Sequence, residues 1–202
     1  MANQGAHQVS PLAPAAFPEL GPIAGVKLAA AETGIRYKNR PDVLLAVMDP
    51  GTTVAGSFTR SKSRSAPVDW CAESLLGGTA RAVVINAGNA NAFTGKAGVA
   101  TVSAVAKSAA KLLKCKASEI FQASTGVIGE PLNPDFITGA LPKLAENARA
   151  EDWGMAAKAI MTTDTFAKAF QEKQQKALDQ GGASADAPDD GTSGKGDLQI
   201  QQ

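Results

Sequence analysis

The sequence predicts an α/β protein, and three observations carry the prediction. Apolar runs of strand length occur at Val43–Met48 (VLLAVM) and Ala82–Ile85 (AVVI). Gly98 to Lys114 instead places apolar residues three and four apart, the spacing of one helix face. Strand-like and helix-like segments then alternate along the chain, with no repeat at a solenoid period.

Val43–Met48 ends at Asp49-Pro50-Gly51, a turn signature, and reads as a buried strand. Thr53–Thr59 (TVAGSFT) alternates in part and reads as a second strand, so the pair suggests a hairpin. Val68–Leu76 reads as a short helix closed by Gly77 and Gly78. Ala82–Ile85 is another buried strand, running directly into NAGNANAFTG. Between Gly98 and Lys114, Val99, Val102, Ala106, Ala109 and Leu113 form an apolar stripe, with Lys107, Lys111 and Lys114 largely off it. Glu119–Ala123 reads as a strand leading into STGVIGEPL. Asn133 fits a helix N-cap with Pro134 at the first helical position. The helix that follows carries Ile137, Leu141 and Leu144 on one face, and Pro142 is expected to kink or divide it. A last helix, from about Asp152 to Met161, ends at TTDTF.

The domain organisation follows from composition. Residues 1–16 form a leader rich in Ala, Pro and Gln, expected to be flexible. Residues 17–170 read as one structured domain. From Gln171 to Gln202 the chain has no aromatic residue and is rich in Gly, Asp, Ser and Gln. Such a tail cannot bury enough apolar surface to offset the entropy of ordering it, so it is expected to be disordered.

Several function classes drop out. The chain has 202 residues, 44% hydrophobic and 19% charged, with a formal net charge of +1. That balance supplies no global field for nucleic acid or an anionic membrane. Aromatics at 5% argue against stacking platforms for single strands. No stretch reaches the ~20 apolar residues of a membrane span. No Lys or Arg precedes Lys27, and Pro11, Pro14 and Pro18 interrupt the N-terminus, so no secretory signal is read. Cys71 and Cys115 make neither a disulfide framework nor a metal cage, so a cytoplasmic setting with reduced thiols and no metal or cofactor is expected. The lone histidine, His7, lies in the polar leader, which argues against a Ser-His-Asp or Cys-His site within the chain.

Three segments could carry chemistry. In NAGNANAFTG (Asn86–Gly95), asparagines alternate with small residues and build a tight polar loop that opens a helix. Its amides could meet an anion, or the loop could simply cap the helix; capping is the preferred reading of the residues alone. In STGVIGE (Ser124–Glu130), a Thr125 hydroxyl and a Gly126 amide could aim at one oxygen as an oxyanion hole. An ordinary turn has the same composition and is preferred on residues alone. MTTDT (Met161–Thr165) offers three hydroxyls and a carboxylate, equally suited to a polar substrate or a solvated connector. Glu130 is too weakly placed to assign as a base. Cys71 and Cys115, remote from any histidine, read as buried or indifferent thiols, and RSKSR (Arg60–Arg64) as a solvated face.

In combination the segments are far more specific. The order GIRYK, FTRSKSRSAPVDW, VVINAGNANAFTG, ASTGVIGEPL and AKAIMTTDTF, over approximately Phe17 to Phe166, resembles the ornithine acetyltransferase (glutamate N-acetyltransferase) family of arginine biosynthesis. The resemblance implies a precursor that cleaves itself before a threonine into α and β chains. That threonine, at the new β-chain N-terminus, is the nucleophile, and its free amine takes the hydroxyl proton. Acetyl passes from N-acetylornithine to the threonine and then to glutamate, in a ping-pong cycle; some members also accept acetyl-CoA. By motif, Thr125 and Gly126 match the family's oxyanion-hole pair, and Thr162 matches a substrate-binding residue. The implied fold is a layered α-β-β-α sandwich, incomplete here, and the implied assembly an α2β2 heterotetramer with a β-chain partner.

The departures are as informative. The family continues after TTDTF with Pro-Lys, then strands, a Lys-Gly-x-Gly-Met segment and a Met-Ala-Thr cleavage point. Here Ala167 stands for the proline, Lys195-Gly196 is followed by Asp197, and no Met-Ala-Thr occurs. The expectation is therefore an α-chain-like portion with no nucleophile of its own, inactive without a β chain. The alternative is a non-catalytic fragment that binds an acetylated amino acid or a partner.

Overall fold

The computed structural model describes residues 9–170. The expected leader lies outside the described residues as far as residue 8, His7 included, and the expected tail, 171–202, lies wholly outside them. Four strands form one sheet: β1 (Val26–Ala31), β2 (Val43–Met48), β3 (Ala82–Asn89) and β4 (Ile120–Val127), in spatial order β1-β2-β3-β4. The first three are mutually antiparallel, with Val26 opposite Met48 and Val43 opposite Asn86. β3 and β4 are parallel, with Ala87 opposite Thr125 and Gly88 opposite Gly126. A parallel pair needs a long crossover, and α2 (Gly95–Leu113) supplies it.

Helices cover both faces of the sheet. On one face Val43, Leu45, Ala82, Val84 and Ile120 pack against Val105, Ala106 and Ala109 of α2. The short helices α3 (Asp135–Thr138) and α4 (Leu141–Asn147) add Ile137, Leu141 and Leu144 to that core. On the other face Leu28, Leu44, Met48, Ile85 and Phe121 meet Cys71 of α1 (Ala66–Ser74) and Ala156 and Ala159 of α5 (Trp153–Ala159). Each large aliphatic buried here stabilises by roughly 1.5–3 kcal/mol relative to exposure. The α/β class is as expected; of the two β layers of the implied sandwich, the described residues hold one sheet.

The sheet edges are managed differently. The outer edge of β1 is closed by Arg149, which exchanges backbone hydrogen bonds with Leu28 (2.7 and 2.9 Å). α1 docks against the outer edge of β4. Trp70 Nε1 donates to the Ile120 carbonyl at 2.8 Å, and the Cys71 thiol meets both the amide and the carbonyl of Gln122 at 3.2 Å. Unpaired edge groups would otherwise template association.

The hairpin expectation changes, β1 is an element the sequence did not signal, and the break expected at Pro142 is found. The partner of β2 is β1, not Thr53–Thr59, where only Thr53 bridges, to Thr79. Residues 55–61 are largely exposed, and only Val54 and Phe58 of the segment pack, partly buried, against the core, too little for the face of a strand. β1 itself has no strong sequence signal, because its alanines fit a helix as well as a strand. Pro142 divides the expected single helix into α3 and α4, standing in the first turn of α4. Asn133 precedes α3 and its Oδ1 accepts from the Asp135 amide at 3.0 Å.

Candidate active site

Two of the three chemistry-bearing segments, NAGNANAFTG and STGVIGE, meet at the carboxyl ends of the parallel strands, where open α/β sheets hold ligands. NAGN is not a loop: Asn86–Asn89 completes β3. Asn86, Asn89 and Asn91 are all buried, and each satisfies its side chain locally. Asn86 Nδ2 donates to the Asn89 carbonyl (2.9 Å), and Asn89 Nδ2 to the Glu130 carbonyl (2.9 Å). Asn89 Oδ1 accepts from the Asn91 amide (2.7 Å), and Asn91 Nδ2 donates to the Gly98 carbonyl (3.1 Å) in the first turn of α2. Asn91 and Phe93 both hold positive φ, 47° and 56°. Buried amides tolerate burial only when paired, and this ladder fixes the path from β3 into α2. The segment ties β3 to α2 through the Asn91 side-chain amide on the Gly98 carbonyl, with no side-chain cap on the helix amides, and its first four residues are strand and not loop.

STG lies within β4 rather than after it. Ser124 Oγ donates to Asn86 Oδ1 at 2.6 Å on the α2 side. Alternation then sends Thr125 to the opposite face of the sheet. Gln122 turns its N–H and C=O away from β3, toward Cys71. Residues two apart share that direction, so Gly126 presents its amide on the outward side. Thr125 is half-buried and Gly126 exposed. Among the described residues, no hydrogen bond from outside the β-ladder reaches either residue. Gly126 has φ 136°, and a Cβ there would stand 2.3 Å from the Gly88 carbonyl carbon and 2.6 Å from the Asn89 nitrogen. Only glycine lets the strands approach this closely at the site.

Thr162 follows α5 in an irregular segment and is half-buried. Its amide donates to Asp164 Oδ2 at 3.3 Å. Lys168 pairs with Asp164, and its hydrogen bond, helped by the Thr162 amide, holds the Asp164 carboxyl below the ordinary carboxylate range. The Arg40 guanidinium donates to the Met161 carbonyl.

Thr125 and Thr162 are not in direct contact through any hydrogen bond; the loop 32–42 between β1 and β2 joins their neighbourhoods. Asp42, fully buried, accepts from the Thr33 amide (2.7 Å), the Thr33 hydroxyl (2.9 Å) and the Ile35 amide (2.9 Å). This folds the loop against the strand ends, so that a Cβ on Gly88 would stand 2.9 Å from Arg36 Cβ and 3.4 Å from Tyr37 Cε2. Arg36 pairs with Glu130 at 3.4 Å across the surface. Glu130 thus stabilises the loop, and no geometry marks it as a base.

Sequence reasoning missed Asp42 and Arg40, which flank Pro41 in what reads as a polar connector. Cys71 is buried and its thiol is pushed up by desolvation, with the Gln122 backbone bond opposing. Burial and Glu119 likewise push up the Cys115 thiol, against Arg81. Both are poor nucleophiles in this setting. Among the described residues no group of three or more His, Cys, Asp or Glu side chains could hold a metal, and no helix is long and apolar enough to cross a membrane.

A family model described as the ArgJ family matches residues 27–184, continuing past Phe170. The chain is 64% identical over 160 residues to the arginine biosynthesis bifunctional protein ArgJ of Bradyrhizobium diazoefficiens and 56% identical to that of Rhizobium meliloti. In each case the match covers 79% of this chain and 39% of the relative, so the chain spans well under half the length of these proteins. Among solved structures it is similar to the arginine biosynthesis bifunctional protein from Bacillus halodurans, with TM-score 0.66, 32% identity and coverage of 71% of this chain and 75% of that one. Ornithine acetyltransferase from Mycobacterium tuberculosis, solved in complex with ornithine, has TM-score 0.66, 36% identity and coverage of 70% and 78%.

Proposed function

This chain belongs to the ArgJ family, and on that premise we propose that it supplies one half of an acetyl-transfer site for arginine biosynthesis. The reaction moves acetyl from N-acetylornithine, with acetyl-CoA as a second donor class, to glutamate. Residues 17–170 act as an α-chain-like domain, and a β chain carries the N-terminal threonine nucleophile, in an α2β2 assembly in the cytoplasm. The observation that carries the reading is the end of β4: an unpaired Thr125 hydroxyl beside an outward amide of exposed Gly126.

The chemistry divides between the chains. The β-chain threonine oxygen bonds to the acetyl carbon, and the carbonyl oxygen takes up negative charge. Thr125 Oγ and the Gly126 amide donate to that oxygen. Collapse breaks the C–N bond, and ornithine leaves with the proton that the threonine amine carried. Glutamate's amine then attacks the ester, the same oxyanion forms again, and the threonine hydroxyl is restored. Thr162 holds the substrate away from the reacting carbon. None of these steps asks this chain for a base.

The test is Thr125→Ala in the complex with a family β chain. Removing one oxyanion donor costs roughly 10²–10³ in kcat, so acetyl transfer should fall on that scale with little change in KM. An unchanged kcat removes Thr125 from the role, and no turnover by the assembled wild-type complex favours the non-catalytic reading, a fragment that binds an acetylated amino acid or a partner.

A further inference from the structure

The segment carrying Thr162 has no regular structure of its own, and one long side chain reaches it from the other half of the site. Arg40 spans the gap. Its guanidinium carbon lies 3.8 Å from the centre of the Tyr37 ring, and its NH2 group donates to the carbonyl of Met161, the residue before Thr162. Tyr37 in turn stands at Gly88, where a Cβ would come within 3.4 Å of its Cε2. Gly88 is the register partner of Gly126. A continuous run of contacts therefore leads from the outward amide of Gly126, through Gly88, Tyr37 and Arg40, to the backbone that presents Thr162.

We propose that Arg40, seated on Tyr37 and bonded to the Met161 carbonyl, is a positioning residue that sets Thr162 at its working distance from Thr125 and Gly126. This rests on the reading of Thr162 as a substrate-binding residue. Arg40 does not touch substrate. Its planar guanidinium stacks on the ring while one N–H fixes a carbonyl, a pairing of roles a flexible ammonium fills less well. The Arg40 Nε is buried with no hydrogen-bond partner among the described residues. The side chain thus leaves a polar atom unpaired to keep this geometry, which a purely solvated arginine would not do.

Two measurements test it. In the chain alone, hydrogen exchange should rise at least tenfold over 161–165 in Arg40→Ala, stay unchanged in β1 and β3, and return only in part in Arg40→Lys. Unchanged exchange over 161–165 overturns the clamp. In the complex with a family β chain, Arg40→Ala should raise KM for N-acetylornithine roughly tenfold with kcat less affected, the scale expected of a displaced binding group. The double variant with Thr162→Ala should then be no worse than Thr162→Ala alone. Additive losses, or a loss in kcat only, overturn the proposal. If Thr162→Ala raises KM and Arg40→Ala does not, the positioning role fails and the substrate role of Thr162 stands; if neither moves KM, both fail.

Discussion

Gly126 carries two demands at one position. Its φ of 136° is open to glycine, and its missing Cβ leaves room for the Gly88 and Asn89 backbone. Gly129, three residues on, has φ 83° but nothing within 4 Å of a Cβ. The two glycines therefore separate strain from crowding. Gly126→Ala should destabilise by about 3 kcal/mol, because β3 and β4 must part at the site. Gly129→Ala should cost only about 1 kcal/mol, the left-handed penalty alone. Urea unfolding of both variants checks this, and equal losses would contradict the close-approach account. Thr125 reads differently: its hydroxyl has no hydrogen bond among the described residues, so its loss should affect acetyl transfer and not folding.

At the scale of elements, the loop 32–42 organises the site although it holds no strand or helix. Asp42 fixes it through three hydrogen bonds inside the core. Asp42→Ala strands the Thr33 and Ile35 amides and should cost at least about 2 kcal/mol in urea unfolding. It should also loosen Tyr37 against Gly88, visible as faster exchange in 33–40. A loss under about 0.5 kcal/mol, the ordinary range for a surface substitution, would contradict the buried role. This loop also marks the limit of what the residues disclose. β2, the core of β3, α2 and α5 were legible because branched runs and a helical stripe report burial directly. β1 was not, since VKLAAA gains its strand character from pairing with β2. NAGN resembled a loop because asparagines rarely sit in strands; here their side chains bond backbone carbonyls that only the folded chain brings near. Thr125 and Gly126 stand out in the sequence only through the motif resemblance, and their oxyanion role is a proposal. Arg40 was not legible, because the Met161 carbonyl it bonds lies far along the chain, and Asp42 was not, because a carboxylate beside a proline in a polar connector gives no sign that the loop will close over it and bury it.

At the scale of the whole molecule, the sheet is closed on one outer edge by Arg149 and covered on the other by α1 only through Ile120 and Gln122. Beyond them the edge of β4 runs on to the exposed Gly126, with exposed Ile128 and Phe93 nearby in the chain's path. This open edge is where the proposed β-chain partner would meet Thr125 and Gly126, and the chain spans 39% of the length of its relative from Bradyrhizobium diazoefficiens. The central claim is that these residues provide oxyanion donors and require a threonine from elsewhere. The most direct measurement is acetyl transfer from N-acetylornithine to glutamate by the purified chain, alone and after assembly with the β chain of an ArgJ relative. The account predicts no turnover alone and turnover on assembly that Thr125→Ala abolishes to within ~1%. Robust transfer by the chain alone, or an assembled enzyme indifferent to Thr125, would contradict it.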